Sequence, residues 1–225
     1  MASMLMVLSL VPVNVLGATY SEELQASYDY GYEMGITTKS TIDSADMYGS
    51  LIRSHMAKMM SNYAVEVLGL TPDTSVDCSF SDMSNETAEM QDYAVEACQL
   101  GLMGLNNDGT PASMFNPTGT VTRAQFGTVL SRALYGDMYN GGEPRYGDHL
   151  NALQADGVMT NISNPNATEV RGYVMLMMMR ADEYGVATNE GSICNDPITI
   201  ALCAIGDSAC PAECLIEEEE VEVKA

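Results

Sequence analysis

Three arginines share one sequence environment. Counting from Arg123, apolar or small residues fall at +3, +6, +7 and +10, as Phe126, Val129, Leu130 and Ala133. From Arg53 the same offsets give Met56, Met59, Met60 and Tyr63, and from Arg171 they give Val174, Met177, Met178 and Ala181. That spacing is one face of a helix, so each arginine is expected in or beside a helical first turn. Free N–H groups and the helix dipole favour anions there. An exposed cation in that place costs about 0.3–1 kcal/mol. An anionic ligand reverses the sign, because a guanidinium can grip a carboxylate bidentately beside the helix N–H groups. One charge-assisted hydrogen bond of this kind contributes about 1.5–3 kcal/mol. The chain has six arginines, and three of them occupy this position. The competing account is structural pairing with acidic residues of neighbouring elements, and both can hold in different copies.

Other residues with chemical potential are less specific. Asn106-Asn107-Asp108-Gly109 resembles a calcium loop, but an EF-hand with Gly109 at its sixth position needs Asp where Gly104 stands. His55 and His149 are the only histidines, and neither belongs to a serine-elbow, H-E-x-x-H or Cys-His signature. Both are expected at the surface. Carboxylate pairs suited to glycoside hydrolysis can arise anywhere among 31 acidic residues, and no spacing selects one. The sequons at Asn85, Asn161 and Asn166 are short enough to occur by chance. Cofactors are not called for by any motif.

Composition narrows the function classes. The 225 residues carry nine Lys plus Arg against 31 Asp plus Glu, a formal charge of −22. Such a surface repels nucleic-acid phosphates and anionic headgroups, which excludes nucleic acid as a partner. The 46% hydrophobic content is enough for a core. Met4 to Val15 is apolar, too short to span a bilayer, and leads into Val15-Leu16-Gly17-Ala18, where small residues suit signal cleavage. No Lys or Arg precedes it, so the signal is either atypical or begins upstream of Met1. No other segment has eighteen consecutive apolar residues, and no membrane span is expected in the mature chain.

The six cysteines fit export. Cys194, Cys203, Cys210 and Cys214 crowd the C-terminal part, where disulfides are expected. Zinc is the alternative, but no C-x-x-C pair and no nearby histidine supports it. Cys78 and Cys98 are candidates for a further bridge, and spacing alone does not fix the pairings.

The elements that must position the arginines repeat along the chain. The clearest copy runs from Phe80 to Tyr135: Phe80-Ser81-Asp82, a helix around Glu86 to Leu100, and a stop at Gly101. A turn-rich loop follows through Asn106 to Thr110 and Phe115-Asn116-Pro117. Thr122 and Gln125 then form a capping-box signature for the second helix. All three arginines are preceded by a helix ending in Gly plus an aliphatic residue, at Gly35-Ile36, Gly101-Leu102 and Gly157-Val158. One helix-loop-helix of this size cannot close a core, whereas three packed together can. The run Val174 to Met179 is expected to be the most buried second helix, since Met fills irregular gaps.

Copy two resembles the S-layer homology (SLH) family. The resemblance rests on Phe80-Ser81-Asp82, Gly101-Leu102, Asp108-Gly109, Phe115-Asn116-Pro117 and Val121-Thr122-Arg123-Ala124-Gln125-Phe126. Copies one and three keep the arginine in Leu51-Ile52-Arg53-Ser54-His55-Met56 and Glu169-Val170-Arg171-Gly172-Tyr173-Val174. The resemblance implies an all-α fold, three helix-loop-helix repeats packed as a pseudo-threefold bundle. Expected boundaries are a signal peptide over 1–18, repeats over 19–70, 76–136 and 143–185, and a Cys-rich acidic tail over 186–225. It further implies a non-catalytic module that anchors an exported protein to the bacterial envelope by binding secondary cell-wall polysaccharide, often pyruvylated and hence acidic. The motif arginines Arg53, Arg123 and Arg171 would line the grooves between repeats. Ser54, His55, Ala124, Gln125 and Gly172 would follow them at the groove edge, with Asp108 and Gly109 in the nearby loop. A structural alternative has the chain self-associate into a surface layer, with the arginines making subunit or repeat contacts.

Overall fold

The computed structural model describes residues 20–186. The expected signal peptide over 1–18 lies outside the described residues, as do the tail beyond Val186 and its cysteines Cys194, Cys203, Cys210 and Cys214. Seven α-helices and no strand occur among the described residues, consistent with an all-α fold. They are α1 (Glu22–Glu33), α2 (Ile42–Ala45), α3 (Arg53–Asn62), α4 (Ala88–Gln99), α5 (Arg123–Tyr135), α6 (Gly147–Ala155) and α7 (Arg171–Glu183), with a π-helical turn over Tyr63–Val67 extending α3. None of them is long and apolar enough to cross a membrane.

Local signals set several helix ends. Ser21 and Thr87 cap α1 and α4 by accepting from the backbone N–H groups of Leu24 and Met90. Thr122 and Gln125 form the reciprocal capping box at α5. After α4, Gly101 takes a left-handed φ of 74°. The N–H of Gly101 then reaches Cys98 O and that of Leu102 reaches Ala97 O, a Schellman closure. The turn buries Leu102, and Ile36 and Val158 are buried after the corresponding glycines.

The helices that begin at Arg53 and Arg171 have no side-chain cap, because Ile52 and Val170 stand at the capping position. Distant backbone replaces it. The N–H of Arg53 donates to Gly119 O, that of Arg123 to Ala167 O, and that of Arg171 to Gly49 O, at 2.9–3.1 Å. The next N–H groups repeat the register: Ser54 to Pro117 O, Ala124 to Pro165 O and Gly172 to Met47 O. Two residues upstream of each arginine, Leu51 donates to Glu169 O, Val121 to Leu51 O and Glu169 to Val121 O. Three segments far apart in sequence thereby close one hydrogen-bonded cycle.

Helix packing follows from this connection. Helix α3 packs on α4, α5 on α6, and α7 on α1. Each helix that starts at an arginine thus lies against another helix, α3 and α5 against the next long helix in the chain and α7 against the first. The core between them is continuous and includes Met56, Met60, Tyr63, Phe115, Phe126, Leu130, Leu153 and Met175. Val174 to Met179 are all buried, as expected for a helix apolar on every side. Cys78 and Cys98 form a disulfide that ties the stretch before Phe80 to α4.

The cycle demands a small residue directly after each arginine. A Cβ on Gly172 would lie 2.9 Å from the carbonyl oxygen of Met47 and 3.1 Å from Leu24 Cδ2. Gly172→Val is expected to lower stability by about 1–3 kcal/mol through overpacking, measured by urea denaturation. An unchanged midpoint would show that this close approach is not required.

Candidate functional site

The site is assembled from the loop before α5 inward. Asp82 accepts from the backbone N–H of Phe115 at 2.8 Å and of Asn116 at 2.7 Å, which fixes the loop conformation. Burial works against ionisation of Asp82, yet these two N–H groups hold its carboxyl below the usual range. The Phe80 ring meets the buried Phe115 ring edge-on at 5.1 Å. Phe115 O in turn accepts from Arg53 Nε at 2.7 Å, and the guanidinium carbon lies 5.1 Å from the Phe115 ring centre. Thus the Phe-x-Asp opening and the Phe-Asn-Pro loop of one stretch together position an arginine of another. Partial burial lowers the Arg53 pKa, with the Asp82 charge acting in the opposite sense.

Each arginine opens onto a cavity between helices. Arg53 and Met56 face the Leu102–Leu105 turn and α5 across about 260 Å³. Arg123 faces Asn161 and α7 across about 310 Å³. Arg171 faces Thr37–Lys39 and α3 across about 360 Å³. The opposing helix contributes the same positions each time. The second residue after its own arginine lines the cavity as Gln125, Tyr173 or His55, and the fifth as Thr128, Leu176 or Lys58.

The arginines differ in their partners. Arg123 Nε donates to Glu169 Oε2 at 3.1 Å, and its Nη1 donates to Asn161 O. The Glu169 side chain is fully buried. Arg171 Nη1 pairs with Asp46 Oδ2 at 2.6 Å, and its Nη2 lies 3.3 Å from His55 Nδ1. Among the described residues no ion pair within 4.0 Å reaches Arg53. Structural pairing therefore describes Arg123 and Arg171, and an open guanidinium describes Arg53.

The other expected site residues separate. Ala124 and Gln125 line the Arg53 cavity, and His55 lines that of Arg171. Asp108 and Gly109 line an adjoining cavity of about 500 Å³. Asp108 turns back on its own loop by accepting from Thr110 N and Oγ1. Ser54 and Gly172, expected at groove edges, are instead buried. Their backbone donates across the cycle, and the neighbouring segment covers the position. For the same reason the first N–H groups of these helices are spent on carbonyls rather than left free for an anion.

His149, expected at the surface, is 1% exposed and lies 2.9 Å from Ser131 Oγ through Nδ1. His55 is half-buried. Sequence reasoning missed Arg132 and Arg145, which line both the Arg53 cavity and its 500 Å³ neighbour. It also missed Arg180, in the Arg123 cavity beside Glu23. Arg132 and Arg180 both stand nine residues after a motif arginine, a recurrence visible in the sequence.

Fold and site thus define an all-α module with arginine-lined cavities between its helices. Residues 79–126 match the family model of the S-layer homology domain, which supports the S-layer homology family and a cell-surface anchoring or S-layer-associated module. No curated protein matches the chain.

Burial lowers the pKa of both histidines, with a nearby arginine acting in the same direction: Arg132 for His149 and Arg171 for His55. A depressed folded-state pKa favours the neutral imidazole, so this contribution is present above the ordinary value of 6.5 and is lost as pH falls below it. The thermal midpoint is expected to drop between about pH 7.5 and 5.5. His149→Gln should flatten that profile, as should His55→Gln. A wild-type midpoint constant over this window would contradict the assignment.

Proposed function

We propose that the chain is a non-catalytic anchoring module of the bacterial cell surface. It consists of three SLH repeats, over 19–70, 76–136 and 143–185, packed as a pseudo-threefold bundle. The module binds anionic secondary cell-wall polysaccharide, including pyruvylated forms, through inter-repeat grooves lined by the motif arginines. A signal peptide over 1–18 directs export, and the Cys-rich acidic segment over 186–225 serves as a linker or tail. The cyclic register of the three arginine segments supports the repeat arrangement, as does the packing of α3 on α4, α5 on α6 and α7 on α1.

One observation carries the binding reading. Arg53 faces a cavity without an ion-pair partner within 4.0 Å, in a chain whose formal charge is −22. A cation left open where carboxylates are abundant fits an anion supplied from outside. In a second reading, self-assembly into a surface layer, the arginines make repeat or subunit contacts, and the Arg123–Glu169 pair fits a contact between repeats.

Co-sedimentation with cell-wall sacculi, intact or stripped of secondary polymer by acid extraction, separates the two. Binding is expected only to intact sacculi, and Arg53→Ala is expected to weaken it about tenfold or more, the worth of one charge-assisted hydrogen bond. Equal binding to stripped sacculi would overturn the polysaccharide reading. Sedimentation of the protein alone as its concentration rises would favour the layer.

A further inference from the structure

We infer that the three grooves are not equivalent: the Arg53 groove takes a ligand with two acidic groups, whereas Glu169 and Asp46 already occupy the anion's place at Arg123 and Arg171. This deepens the anionic-glycan reading and rests on it for the identity of the natural ligand. The Arg53 cavity also holds Arg132 and Arg145. Among the described residues, none of these three guanidiniums has an ion pair within 4.0 Å. Asp82 and Asp137 act on Arg53 and Arg132 only from beyond ion-pair distance, and their carboxylates accept from Phe115 and Asn116 N–H and from Asn140.

The donors are oriented for capture. Arg53 spends Nε on Phe115 O, and Arg132 spends Nε on Asn140 Oδ1 at 3.1 Å. Each planar fork is thereby anchored at one edge, with its terminal nitrogens left for a bidentate grip. Like charges gathered at one cavity repel each other, and one anionic group does not neutralise three. Two acidic groups, one on Arg53 and the second on Arg132 and Arg145, come closer to balance. Leu105 and Tyr146, both partly exposed, give the cavity an apolar wall against which the C–H face of a saccharide can lie.

The other grooves carry their own anions. At the cycle position held by Leu51 and Val121, the third segment has Glu169, whose carboxylate engages Arg123. Arg180 in that groove pairs with Glu23. Asp46 engages Arg171 from a left-handed backbone position, φ 52°, which Asn also adopts readily.

The test is a titration of the full chain with sodium malonate and, separately, sodium acetate at constant ionic strength, followed by NMR at each arginine Nε–H. Malonate is expected to shift Arg53, Arg132 and Arg145 saturably, with affinity at least tenfold above acetate, while Arg123 and Arg171 stay still. Arg145→Gln should remove the malonate advantage, and Asp46→Asn should bring Arg171 into the response. Equal shifts at all three motif arginines, no shift at Arg53, or equal affinity for the two acids would overturn the inference. Malonate capture at Arg53 without binding to sacculi would uphold it and refute the polysaccharide reading. Binding to sacculi with a titration that spreads over all three grooves would do the reverse.

Discussion

The structure depends on one set of backbone hydrogen bonds, the cycle in which Leu51 donates to Glu169, Glu169 to Val121, and Val121 to Leu51. A helix start leaves N–H groups without intrahelical partners, and burial makes an unpaired one costly. Here each arginine-bearing segment satisfies its neighbour, so no member of the cycle is complete alone. The demand for close approach follows, with Ser54, Ala124 and Gly172 at the equivalent buried positions. The cycle also sets the orientation of the arginines. With the backbone before each held in common register, each side chain opens onto a groove faced by a different helix.

Charge then distinguishes positions that backbone geometry makes alike. The same cycle position holds Leu51, Val121 and Glu169, and only the last brings a carboxylate, which reaches Arg123 rather than the arginine of its own segment. Burying such a pair is favourable only with good geometry and added hydrogen bonds. Glu169 meets that condition by also accepting from Val170 N–H through Oε1. The Phe-x-Asp opening has a comparable role at Arg53. Its aromatic ring backs the loop, its carboxylate fixes the loop's N–H groups, and the loop's carbonyl holds the guanidinium.

What was legible in the sequence was local. The apolar spacing after Arg53, Arg123 and Arg171, the Thr122–Gln125 capping box and the Gly101 stop all act within about three helical turns. They give the three helix starts and the buried run Val174–Met179. The N-terminus of α4 fell two residues later than the reading from Glu86, because Thr87 rather than an upstream residue accepts from Met90 N–H. The long-range part was not legible. Nothing near Ser54 in the chain reveals that Pro117 O will meet its N–H, so a buried position reads as a groove edge. His149 reads as a surface residue until Ser131, eighteen residues away, supplies its buried partner. Arg145 follows no helical period, and only the fold brings it into the cavity shared by Arg53 and Arg132.

Native-state hydrogen exchange of the Leu51, Val121 and Glu169 amides tests the dependence on the cycle most directly. If the three bonds form one cooperative unit, all three amides exchange only through global unfolding, with a common free energy equal to that from denaturant titration. A member that exchanges through local opening, with protection well below its two partners while the helices stay folded, would contradict the account.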